Sequence, residues 1–345
     1  MHKRRIAAGI WIIALAVGAT FVSPAFAQDK LVVSIWGGSW RDLVRDTVAK
    51  KFTQETGVPV EFITGGTIDR LNKARLAKGN PESDITFTTS HVGWLYVDSG
   101  LFEKLDMSKI PNAGNLVDEA RFSPYHLGSW AYVYTIGYRS DLTKNIKFDS
   151  WNDLWNPELR NKIAAPDFDP SSLIVVAATL SGGDARNWQA GEAKLKALKP
   201  NFRAFYTDDA NSQQLLASGE TPVQDVLSMN AYYMIGQGVP ITLSIPKEGG
   251  VLGVDAAAIM SGSKHAELAY KFINALYDPG VQAQIADQKK GSPVVRNAKL
   301  DPAVAKLPGV FTSEAQWKQQ INIDPKLRAE NLPEWRKWFG ENLMN

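Results

Sequence analysis

From residue 31 the chain alternates short apolar runs with amphipathic helical stretches, and this alternation restricts the fold more than any other feature. Leu31–Trp36, Val58–Thr64 and Asp84–Thr88 read as strands. Helical patterns lie between and after them, over 39–56, Ile68–Lys78 and His91–Ser99. Strand–helix–strand order of this kind builds a mostly parallel sheet with helices on its faces. In the first helix Leu43, Val44, Thr47, Val48 and Phe52 form the buried stripe, Ser39 with Asp42 is the predicted capping pair, and Gly57 the stop.

The pattern changes at Tyr132–Tyr138, a long aromatic strand that predicts a crossing into a second α/β lobe. That lobe carries helices at Ser171–Leu180, Ala185–Leu198 and Met229–Ile235, with strands at Phe202–Tyr206 and Ile241–Ile245. Gly253–Met260 returns to the first lobe, Lys264–Leu276 packs there, and the amphipathic Trp317–Leu343 packs across both. The division is 28–136 with 247–310 for the first lobe, 137–246 for the second, and 311–345 for a terminal helical segment. With 345 residues the chain exceeds what one compact core holds. Two crossings leave a cleft between lobes, a preferred place for a ligand.

Residues 1–27 are set apart. Lys3, Arg4 and Arg5 precede an apolar run from Ile6 to Val22 and then Ala25-Phe26-Ala27, the pattern of an export signal cleaved after Ala27. A secreted, periplasmic chain is the expectation. Its removal takes the formal charge from +2 to −1, which offers no electrostatic footprint for nucleic acid. The absence of Cys excludes thiolate metal sites, disulfides and Cys nucleophiles.

Enzymatic motifs are missing. Outside the signal the histidines are His91, His126 and His265, and none is spaced as a metal pair. No G-x-S-x-G elbow, phosphate-binding loop or G-x-G-x-x-G occurs. Asp167 and Asp169 read as a cap and turn before a helix rather than a catalytic pair. The adjacent Tyr232 and Tyr233 leave ferric-ion binding open as a lesser reading. No enzyme, cofactor or metal centre is expected, and a monomer suffices.

Three colinear blocks carry a family likeness. They are Ile35-Trp36 leading to Gln54-Glu55-Thr56-Gly57, then Ser150-Trp151-Asn152-Asp153-Leu154-Trp155-Asn156-Pro157-Glu158, then Pro246-Lys247-Glu248-Gly249-Gly250 with Asp255 and Tyr277-Asp278-Pro279. Together they resemble the spermidine/putrescine-binding proteins of ABC importers over nearly all of the exported chain. The resemblance implies a type II two-lobed binding protein, closing on a small ligand and delivering it to an inner-membrane permease. It also implies that Asp255 is the carboxylate for an ammonium, that Trp36 is a pocket aromatic, and that Thr89 and Ser90 are a polar pair. The chain departs from the polyamine pattern at Gly253 and Leu227, where those proteins have Trp, and at Ser171, where they have an acid.

Trp40 and Trp130 are further candidate aromatics, with core packing as their alternative. Arg203 and Asp225 add a cation and an anion: a guanidinium suits a carboxylate and Asp225 or Asp255 an ammonium. The competing fate of Arg203 is a surface salt bridge, and that of Asp225 a loop contact. The expected ligand is therefore a zwitterionic amino acid of the γ-aminobutyrate type, with a polyamine as the alternative.

Overall fold

The computed structural model describes residues 30–143 and 146–344; the export signal read over 1–27 lies outside the described residues. The strands are β1 Leu31–Ile35, β2 Val60–Thr64, β3 Ile85–Thr89, β4 Leu127–Arg139, β5 Ile163–Pro166, β6 Phe202–Tyr206, β7 Val223–Leu227, β8 Ile241–Ser244 and β9 Val251–Ile259. The helices are α1 Ser39–Val44, α2 Lys50–Thr56, α3 Thr67–Leu76, α4 Ser90–Asp98, α5 Ser171–Leu180, α6 Glu192–Leu198, α7 Asp209–Ser218, α8 Ser228–Gly236, α9 Ala266–Leu276, α10 Pro279–Lys289, α11 Glu314–Lys318 and α12 Pro325–Phe339.

One sheet runs through the molecule in the order β2-β1-β3-β9-β4-β7-β5-β6, with β8 on the far half of β4. Three strands at each end are parallel, β2-β1-β3 and β7-β5-β6. The centre is antiparallel, so the sheet is mixed where a mostly parallel one was expected. The reason is the crossing itself. β4 enters the second half and β9 returns from it, and two segments running in opposite directions pair antiparallel. The near half of β4, Leu127–Tyr134, pairs with β9, and Tyr134–Tyr138 pairs with β7.

Each half buries its own core. Phe52, Phe87, Trp130 and Phe272 belong to the first, and Trp151, Leu173, Trp188 and Trp335 to the second. Sequence periodicity located the inward stripe of the first helix: Leu43, Val44, Thr47, Val48 and Phe52 are all buried. Its start differs. Gly38 takes the cap position at φ 60°, a left-handed backbone, and Ser39 makes no cap bond; Asp42 instead pairs with Arg41 and Arg45. A π-helical turn at Arg45–Ala49 joins α1 to α2, and Gly57 closes α2 at φ 71°. The helix expected over Ala185–Leu198 is regular only from Glu192. The terminal amphipathic segment is broken into α11 and α12. Asp324 caps α12, accepting from the Leu327 N–H, and Pro325 opens its first turn.

That last segment joins the halves a third time. Ile321 pairs with Val251 at the start of β9, α12 packs on both α4 and α5, and Trp335, Phe339 and Leu343 close the second core. No helix among the described residues is long and apolar enough to cross a membrane.

Candidate functional site

Strand alternation sets out the site. Trp130, Tyr132 and Tyr134 are two apart on β4 and so share one face. Asp255 on β9 lies opposite Trp130 in the ladder. The Trp130 indole N–H donates to Asp255 Oδ2 at 2.8 Å, and the Tyr132 hydroxyl donates to Oδ1 at 3.0 Å. A Cβ at Gly253 would come 2.1 Å from the Tyr132 ring. Glycine there lets Tyr132 lie across β9 and reach Asp255.

Trp40 stacks on Trp130 with ring centres 5.4 Å apart, Phe87 also stacks on Trp130 at 5.4 Å, and Trp36 lies tilted 6.2 Å from Trp40. These rings are held firmly. The Trp36 indole donates to Thr67 Oγ1 at 2.7 Å, and the Arg70 guanidinium sits 5.2 Å from its ring centre. Thr89 faces Asp255 across the β3–β9 ladder and Ser90 opens α4.

Asp225, on β7, is fully buried and accepts from the Ser172 hydroxyl at the start of α5. Its Oδ1 is buried without a hydrogen-bond partner. Burial pushes Asp225 up to about 7. Burial does the same to Asp255, up to about 7, against the pull of its bonds from Tyr132 and Trp130. Among the described residues neither carboxylate lies within ion-pair distance of a Lys, Arg or His side chain. Asp209, at the start of α7, is raised by burial too, its Asn230 bond opposing.

A buried guanidinium comes from Arg328 of α12, and Arg203 is elsewhere. Arg203 projects from the edge strand β6, exposed, with its Nε 3.9 Å from Glu220. An edge strand turned to water gives a long charged side chain no reason to face inward. Arg328 is buried, donates to Asp169 Oδ2 at 2.6 Å, and leaves its Nε without a partner. Burial raises the Asp169 carboxyl, but Arg328 and two bonds from Ser171 outweigh it and hold it below the usual range. His91 Nε2 lies 3.6 Å from Asp169. Burial, reinforced by Arg328, drops His91 to about 3, so it is neutral at pH 7. Pro170 holds the cap position of α5 without a side-chain cap bond, and Asp169 instead accepts from the Ser171 N–H at 3.2 Å in the turn before it; its second role, as partner of Arg328, was not legible in the sequence.

Of the sequence candidates, Trp36, Trp40 and Trp130 meet as one aromatic cluster next to Asp255, with Thr89 and Ser90 at the adjoining strand end. Asp225 lies within electrostatic reach of Arg328. The residues missed are Tyr132, Tyr134, Asp169, Asp209 and Arg328. The tyrosines had a signal, their two-residue spacing with Trp130. The Tyr232 hydroxyl donates to the Pro308 carbonyl at 2.8 Å and Tyr233 is exposed, so the pair does not converge. Among the described residues no cluster of His, Cys, Asp or Glu could hold a metal ion.

Comparison with known proteins then decides the family: the model for bacterial extracellular solute-binding proteins matches residues 47–312. The chain belongs to that family. This solute-binding protein is 30% identical over 289 residues to the spermidine/putrescine-binding periplasmic protein of Escherichia coli, covering 79% of this chain and 80% of the relative. It is 29% identical over 331 residues to that of Salmonella typhimurium, covering 89% and 91%. Among solved structures it resembles an ABC transporter protein from Clostridium perfringens, at 29% identity and TM-score 0.78, covering 91% of this chain and 100% of that one. It also resembles the Atu4243-GABA receptor, at 25% identity and TM-score 0.79, covering 92% and 98%. The solute-binding protein is therefore of the ABC-importer type, and its curated relatives are periplasmic.

The two raised carboxyls have a consequence for the empty solute-binding protein. A carboxyl raised on folding makes the native state hold more protons than the unfolded one, so stability falls as pH rises between about 4 and about 7. The gap in urea midpoint between the wild type and the Asp225→Asn/Asp255→Asn variant should therefore change in that window, the wild type losing ground towards pH 8. A gap constant from pH 5 to pH 8 would show that these acids ionise normally.

Proposed function

We propose that the cleft captures a small organic amine with an acidic group at its other end, γ-aminobutyrate being the type, and hands it to an inner-membrane permease without chemical change. One observation carries the reading. Among the described residues an acceptor and a donor, Asp225 Oδ1 and Arg328 Nε, are both buried without hydrogen-bond partners. An orphaned acceptor and an orphaned donor are each costly in a dry site. A ligand ammonium would satisfy the first and a ligand carboxylate the second. The rings of Trp36, Trp40 and Trp130 would cover the chain between and attract the ammonium.

In this reading the lobes are 28–136 with 247–310, and 137–246, with 311–345 packed across them. The exported monomer begins after Ala27. Hinge closure excludes water and strengthens the charge pairs. A micromolar Kd needs about −8 kcal/mol. Two desolvated charge contacts, costing roughly 2–5 kcal/mol each when truncated, supply that order.

Polyamine binding is a second reading, favoured by the surplus of acids (Asp209, Asp225 and Asp255 beside one paired guanidinium) and by the names of the relatives. Thermal shift separates the two, because a ligand selective for the native state raises Tm. With γ-aminobutyrate, putrescine and spermidine tested singly, γ-aminobutyrate should give the largest rise. Stabilisation by putrescine or spermidine alone would reverse the order of the readings.

A further inference from the structure

We infer that Lys289 is a tethered cation occupying the place a second ligand ammonium would take, and that it sets the selectivity of the cleft against diamines. The inference deepens the amine reading above and rests on it.

Lys289 ends α10, and the next residue, Lys290, turns away with φ 55°. The half-buried Lys289 ammonium lies 4.3 Å from the Trp40 ring centre and donates to Ser39 Oγ at 2.8 Å. Trp40 is the ring that stacks on Trp130, whose indole holds Asp255. Asp209 comes from the opposite half of the molecule, and its charge acts on both Lys289 and Asp255. Lys289 and Asp209 line the same cavity of about 740 Å³, with Trp40 and Asn230.

An aromatic face with a carboxylate beside it is what an organic ammonium seeks. Here the chain's own ammonium has the Trp40 face, in a cavity that Asp209 also lines. Asp209 lines this cavity and its charge acts on Asp255, the carboxyl held by Trp130, and two acids are enough for a dication. With Lys289 lining the same cavity as Asp209, a diamine reaching along the rings would bring its far ammonium against a like charge. A ligand with a single ammonium meets no such repulsion. The same acids can therefore sit in a polyamine-like arrangement and yet favour a monocation.

The test is calorimetric titration of putrescine and of γ-aminobutyrate into ligand-free wild type, Lys289→Gln and Lys289→Arg, with Tm recorded for each. Lys289→Gln should bind putrescine at least tenfold more tightly than the wild type does. Lys289→Arg, which keeps the charge, should not gain. Putrescine affinity unchanged or weaker in a folded Lys289→Gln overturns the inference. A gain that appears equally in Lys289→Arg overturns it too, because charge would then be irrelevant. If γ-aminobutyrate binds the wild type while Lys289→Gln shows no putrescine gain, only the Lys289 assignment fails. If neither amine binds any of the three proteins, the amine reading falls with it.

Discussion

Asp255→Asn should weaken amine binding by about thirtyfold or more and leave the protein folded. The two donors that hold Asp255 explain both halves of this expectation. The Trp130 indole can only donate, so an asparagine must turn its carbonyl oxygen towards it. Its NH2 then meets the Tyr132 hydroxyl, which can turn and accept. The hydrogen bonds survive and the negative charge does not. Truncating one partner of a buried charge contact costs roughly 2–5 kcal/mol, and each 1.4 kcal/mol or so is a tenfold change in affinity. Calorimetry with the amine that stabilises the wild type measures the loss, and near-ultraviolet circular dichroism verifies the folded state. Wild-type affinity in a folded Asp255→Asn would remove this carboxylate from the binding site.

Arg328→Met should destabilise the empty protein by about 3–5 kcal/mol, the cost of stranding a buried partner. That partner is Asp169, whose Oδ2 Arg328 holds at 2.6 Å inside the interface of α4, α5 and α12. His91 cannot take over, since burial keeps it neutral. Adding Asp169→Asn should recover much of the loss, because the second change removes the stranded charge. Urea unfolding of the two single variants and the double variant reads this directly. A loss for Arg328→Met below about 0.5 kcal/mol, the range of an ordinary surface change, would mean that the pair is dispensable. Arg203→Ala provides the contrast: its exposed contact with Glu220 at 3.9 Å predicts an effect near zero on stability and on ligand affinity.

The contrast between these arginines marks where sequence reading stopped. Strand and helix positions were legible because burial imposes a period on the side chains. Ser171–Leu180 and Phe202–Tyr206 appear in the structure with the bounds that pattern gave. Asp255 and the tryptophans were found because a resemblance and a strand position pointed to them. An arginine in a polar amphipathic helix has no such mark. Arg328 resembles its exposed neighbours in sequence, and only the packing of α12 on both halves takes it inside. Arg203 had the opposite fate, since a strand position suggested a cleft while the strand lies at the sheet edge. Antiparallel pairing at the centre was hidden for a related reason, since pairing direction follows from where the chain crosses and not from local periodicity. The capping pair at Ser39 and Asp42 failed because Gly38, free to adopt φ 60°, took the turn instead.

The position of Arg328, after every described strand in the sequence, imposes an order on how the molecule is completed. A chain made and exported from its first residue onward delivers Asp169, His91 and every strand before the arginine that neutralises the cluster. Until α12 arrives, the acid at the start of α5 has no fixed counter-charge, and the seam along α4 and α5 stays uncovered. Premature termination near residue 320 would therefore leave a full set of strands but an unfinished seam, the kind of product a quality-control protease can recognise.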